Sequence, residues 1–196
     1  MRFLSARIVC AGVCVALAAC GSTTQPGRDG IVRGPAPYAA LTSSDAALKV
    51  AFDEVCVPTV LAGGDFATLA KTRYMVEMKP VRDSTGQSSQ VFRLASIDEV
   101  TATLWADGSC MVGIERGDSE ALSAKALASL EARGHVMAAG ISSPAPNDGT
   151  RAAWCNSDPR PLMLAITTPT GKASKRQALV ATLYRAKGGA SDICRR

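Results

Sequence analysis

The feature that most limits what this chain can fold into is a pair of alternating runs on either side of Ala106-Asp107-Gly108. Before it, Val100, Ala102 and Leu104 alternate with Thr101 and Thr103; after it, Cys110, Val112 and Ile114 fall on one face. Successive side chains of a strand point to opposite faces, so both runs read as half-buried strands. An Asp-Gly step between them supplies the positive backbone angles of a hairpin turn. Two strands joined so tightly must pair antiparallel, without a crossover helix.

Helix signals bracket this hairpin. Asp118 can cap a helix with Glu120 in its first turn, an apolar stripe of Leu122, Ala126, Leu127 and Leu130, Arg133 in its last turn and Gly134 just past it. Earlier, Ser43-Ser44-Asp45 opens a helix on which Leu48, Phe52, Val55 and Cys56 share a face at i, i+4, i+7 and i+8. Pro58 is expected to end or kink it near Val57, because proline clashes with the preceding turn. Gly63-Gly64 breaks the chain, and Asp65 can cap a short helix carrying Phe66, Leu69 and Ala70.

The remaining runs read as strands. They cover residues 74–78 (stopped by Pro80), 91–95, 135–141, 151–156, 162–167 and 177–185, the last apolar on both faces. Polar stretches at 83–89, 142–149 and 169–175 and the Asp158-Pro159 step read as loops and turns. The order is helix, three or four strands, helix, three or four strands. It predicts an α+β fold: an antiparallel sheet of about six to eight strands, with two or three helices packed on one face.

The chain before the first helix has a different character. Arg2 and Arg7 precede an apolar run over 8–19, which is within the range of a signal-peptide core and short for a bilayer span. The run ends in Leu17-Ala18-Ala19-Cys20, followed by Gly21. These residues resemble the lipobox of bacterial lipoproteins. The resemblance implies a signal peptide over 1–19, a diacylglyceryl and palmitate anchor on Cys20 as first residue of the mature protein, and, through Gly21 rather than Asp, the outer membrane. Residues 20–43, with Pro26, Pro35, Pro37, Gly27, Gly30 and Gly34, then read as a flexible tether. The folded part is then expected to be a single periplasmic domain over 44–196.

Loss of Arg2 and Arg7 lowers the formal charge from +5 to about +3. So weak and dispersed a basic bias argues against nucleic acid binding and is compatible with an anionic envelope surface.

Under the same frame Cys10 and Cys14 leave with the signal and Cys20 takes the lipid, which leaves Cys56, Cys110, Cys155 and Cys194. An even number in an oxidising compartment predicts two disulfides. Of the three possible connectivities, Cys56–Cys110 with Cys155–Cys194 is preferred because each bridge closes within one half of the fold.

Candidate chemistry is sparse. The chain has one histidine, His135, no CxxC pair, and no phosphate loop, GxSxG or HExxH motif, so no metal or cofactor is expected. His135 as a general base would need a nucleophile, with Ser142 or Ser143 nearest in sequence, but its place after a helix end favours an exposed role. The carboxylates within Asp53-Glu54 and within Asp98-Glu99 should diverge and serve surface solvation. Trp105 and Trp154 are expected as core anchors, and Lys172, Lys175, Arg176, Arg195 and Arg196 as solvated turn and tail.

The segments Phe52-Asp53-Glu54-Val55-Cys56 and Thr103-Leu104-Trp105-Ala106-Asp107-Gly108-Ser109-Cys110 are similar to those of small alphaproteobacterial lipoproteins, a group with no defined activity. The expected function is a non-enzymatic binding or accessory module held at the membrane through Cys20, with an envelope protein as partner. The competing expectation is an envelope hydrolase acting on a glycan or peptide.

Overall fold

The computed structural model describes residues 41, 43–95, 99–145, 149–156, 161–169 and 178–185. The chain enters the fold through a composite helix, α1, built of an α-helical Ser44–Leu48, a π-helical Lys49–Cys56 and an α-helical Val57–Ala62. Ser43 caps it by accepting from the Ala46 N–H (3.3 Å). Leu48, Phe52, Val55 and Cys56 are all buried, as their spacing predicts. A short α2 (Phe66–Thr72) follows, capped by Asp65 through the Thr68 N–H (2.8 Å).

The helix does not end at Pro58, contrary to the expectation. Its wider winding explains why. The Val57 N–H bonds to Phe52 O, five residues back, so in the same register the missing Pro58 N–H would have served Asp53 O. That carbonyl accepts instead from Arg133 Nη2 (3.3 Å), and Thr59 Oγ1 donates to Val55 O (2.8 Å). The helix stops at Gly63, which takes a left-handed φ of 69°.

Eight strands form one antiparallel sheet: β1 (Met75–Glu77), β2 (Gln90–Leu94), β3 (Val100–Leu104), β4 (Cys110–Ile114), β5 (Ala138–Ala145), β6 (Gly149–Asn156), β7 (Leu162–Thr168) and β8 (Leu179–Arg185). The spatial order is β1-β2-β3-β4-β8-β7-β6-β5. Two four-stranded meanders therefore join where β4 pairs with β8, Val112 opposite Ala181. Helix α3 (Ser119–Glu131) links the meanders. The expected α+β class stands.

The β3–β4 hairpin forms where the Asp-Gly step predicts it. Gly108 N–H bonds to Trp105 O (3.0 Å), Gly108 takes φ 86°, and Asp107 Oδ1 accepts from both the N–H and the hydroxyl of Ser109. Strand pairing reaches beyond the expected strands in two places. Pairing resumes beyond Pro80, with Ser89 N–H bonding to Val81 O (2.9 Å) and an Arg82–Ser88 bridge, one residue out of the β1–β2 register. The Ser89 hydroxyl accepts from Val81 N–H (3.2 Å) and donates to Val81 O (2.8 Å), closing the bulge around the proline. Likewise β5 runs through Pro144 to Ala145 where a loop is expected; β5 is an edge strand, the place in a sheet where proline is tolerated.

The helices pack on the sheet's inner face. Helix α1 touches β3, β4 and β8, and α3 touches β7 and β8. The core joins Phe52, Phe92, Val112, Leu122, Leu130, Leu164 and Leu183, and Phe66 stands edge-on to Phe92 at 5.5 Å and 82°. Strand β8 has Leu179, Ala181 and Leu183 buried and Val180, Thr182 and Tyr184 half-buried, matching its two-faced apolarity.

Candidate functional site

The densest polar cluster among the described residues lies where α1 meets α3. One turn of α1 places Asp53 above Lys49, which donates to Asp53 Oδ2 (2.8 Å). From α3, Ser129 Oγ donates to Asp53 Oδ1 (2.6 Å), and Arg133 Nη2 lies 2.5 Å from the same oxygen. Arg133 Nη1 also donates to Ser129 O (2.6 Å) and Ser129 Oγ (3.0 Å). Lys125 pairs with Asp45 along the same helix junction.

A serine hydroxyl on a carboxylate invites a catalytic reading, and the electrostatics oppose it. Partial burial works to raise the Asp53 pKa; the hydrogen bonds from Lys49 and Ser129 and the Arg133 charge outweigh it and hold the carboxyl below the usual carboxylate range. A carboxylate stabilised in its charged form is a poor proton acceptor for a hydroxyl. The cluster is a helix joint that also fills the carbonyl vacancy left by Pro58.

Glu54 turns to another neighbour, accepting from Arg73 Nε at the end of α2 (2.5 Å). The two adjacent carboxylates diverge as expected, but they tie α1 to α3 and to the end of α2. The expectation of surface solvation is corrected here: the Asp53 side chain is only 15% exposed, and its partners arrive from a helix some 76 residues along the chain. Glu99 lies 3.4 Å from Arg116, and Asp98 lies outside the described residues. From β8, Arg185 Nε donates to Val60 O (3.2 Å) and Nη2 to Leu61 O (3.3 Å), capping the carbonyl end of α1.

His135 is half-buried at the end of α3. Its N–H bonds to Leu130 O (3.1 Å) while Gly134 N–H bonds to Glu131 O (2.8 Å), with Gly134 at φ 81°. The position is that of a helix-terminating residue. Ser142 is exposed on β5. Among the described residues no three His, Cys, Asp or Glu side chains converge to hold a metal ion. Trp154 packs against the main core and Trp105 is half-buried at the β3–β4 turn. Gly63-Gly64 is a turn, and a Cβ on Gly64 would meet Leu69 Cδ1 at 2.9 Å. Lys172, Lys175, Arg176, Arg195 and Arg196 lie outside the described residues.

Cys56 and Cys110 form a disulfide, Cα to Cα 5.4 Å, pinning α1 to β4. Both residues are fully buried. Cys155 is also disulfide-bonded; since Cys56 and Cys110 hold each other, its partner is outside the described residues, where Cys10, Cys14, Cys20 and Cys194 all lie. No described helix is long and apolar enough to cross a membrane. No protein-family model matches the chain, and no curated protein or solved structure matches it.

Proposed function

We propose that this chain is a lipid-anchored envelope protein, carried on Cys20 at the outer membrane, whose α+β domain binds another envelope component. The observation that carries the proposal is the Leu17-Ala18-Ala19-Cys20-Gly21 sequence at the end of a short apolar run. Two further features support it. The buried Cys56–Cys110 bridge suits a compartment that oxidises thiols. The composition of 20–43 suits a spacer that carries a domain away from a surface.

A binding role is the reading that fits the polar chemistry. The Asp53 and Glu54 clusters are occupied in joining helices, and the Ser129 hydroxyl faces an acid held in its charged form. The test is fractionation of cells making the full chain. Wild-type protein sediments with outer membranes, whereas Cys20→Ser leaves it soluble or as unprocessed precursor. Equal amounts of processed protein in the outer membrane for the two would overturn the anchor.

A further inference from the structure

Two exposed apolar side chains, Met78 and Val81, stand on one protruding element. Strand β1 is an edge of the sheet, and the hairpin joining it to β2 is exposed at every residue from Glu77 to Ser88 except the half-buried Asp83. Met78 is 39% exposed and Val81 51%, with Pro80 exposed between them. Single apolar residues scattered over a surface are ordinary; three within four positions make a patch.

Cations interleave this patch as Met78-Lys79-Pro80-Val81-Arg82. Among the described residues neither Lys79 nor Arg82 meets a carboxylate, and Arg82 Nη1 donates to Gly86 O (3.0 Å). The acids beside them are engaged elsewhere. Glu77 lies 3.6 Å from Lys71. Asp83 Oδ1 turns into its own loop and accepts from the Thr85 N–H (2.8 Å), the Thr85 hydroxyl (2.7 Å) and the Gln87 N–H (2.9 Å). Those bonds, with the Asp83 N–H on Gln87 O (3.0 Å), stiffen the tip, so little is left to order on contact.

The backbone of this edge is closed to a further strand, because Pro80 and the bulge that Ser89 clasps both interrupt it. Recognition here goes through side chains. Apolar groups set beside long cation stems suit the boundary between anionic headgroups and acyl chains. We propose that residues 78–82 of the β1–β2 hairpin dock on a bilayer surface rich in anionic phospholipid, with Lys79 and Arg82 at the phosphates and Met78 and Val81 at the acyl boundary. This deepens the envelope reading and rests on it for nearness to a bilayer; the chemistry of the hairpin does not involve Cys20.

The test is hydrogen peroxide footprinting of the full chain with vesicles of phosphatidylcholine alone or with about one-third phosphatidylglycerol, followed by peptide mass spectrometry. Met78 oxidises quickly with phosphatidylcholine vesicles and about tenfold more slowly with the anionic ones. About 0.5 M salt restores the fast rate, as does the double variant Lys79→Glu, Arg82→Glu. Met75, 4% exposed, stays protected throughout and reports an intact fold. Equal Met78 rates with the two kinds of vesicle overturn the proposal, and so does protection that survives in the double variant. A chain that does not stay on phosphatidylcholine vesicles at all speaks against the Cys20 anchor instead, and the anionic arm still reads the hairpin.

Discussion

Replacing both Cys56 and Cys110 with alanine should remove a large share of this domain's stability without changing its fold. The two residues are 54 positions apart, so the bridge closes a loop that spans α2 and β1 to β3. In the chain-entropy account a loop of that length restricts the unfolded chain by about 4 kcal/mol at room temperature. The native contacts change little, since each alanine keeps the Cβ and the polar joint at Asp53 is untouched. With a urea dependence of about 2 kcal/mol per M for a domain of this size, the unfolding midpoint should fall by about 2 M. The assay is urea unfolding followed by far-UV circular dichroism, with the slope compared between variants. A loss under about 1 kcal/mol with unchanged slope would refute the reasoning, because the bridge would then restrict nothing the fold does not already restrict.

Four other outcomes follow from particular contacts. Asp53→Asn should cost about 1 kcal/mol at neutral pH, since the ion pairs it loses are partly solvated. The native Asp53 pKa lies below its unfolded value, so its contribution is full above about pH 4 and is lost as pH falls through the native value; acid titration of stability should show this fall in the wild type and not in Asp53→Asn. Ser89→Ala should cost about 1 kcal/mol, measured by thermal unfolding, because the Val81 N–H and C=O both lose a partner at the Pro80 bulge. Gly134→Ala should cost about 1 kcal/mol, from backbone alone, since a Cβ there meets nothing within 4 Å. Gly117→Ala should cost more, about 3 kcal/mol, because φ is 134° and the new Cβ meets Leu122 Cδ1 at 2.9 Å and Ser44 Cβ at 3.2 Å; equal losses at the two glycines would contradict this.

What was legible in the sequence was local. The Asp118 cap, the Leu122, Ala126 and Leu130 stripe and the Asp107-Gly108 turn depend on residues within one or two turns of each other, and the structure places them as their spacing predicts. What was not legible depends on distant partners. The continuation of α1 through Pro58 rests on Arg133, 75 positions on, and the resumption of pairing after Pro80 rests on the Ser89 hydroxyl. The junction of β4 with β8 joins strands separated by the whole of α3 and β5 to β7, which no local pattern specifies. The polar joint left a partial signal: Lys49 and Asp53 stand at i and i+4, but nothing near them announces Ser129 and Arg133. Cys56 and Cys110 were readable as a pair because each lies on the buried face of an element with a clear period.

The proposed lipid on Cys20 is what would hold this domain at the envelope. The direct measurement is incorporation of labelled palmitate by cells producing the full chain, wild type beside Cys20→Ala. Label is expected in the wild-type band and none in the variant. Equal label in both, or an unmodified mature wild-type protein, would contradict it.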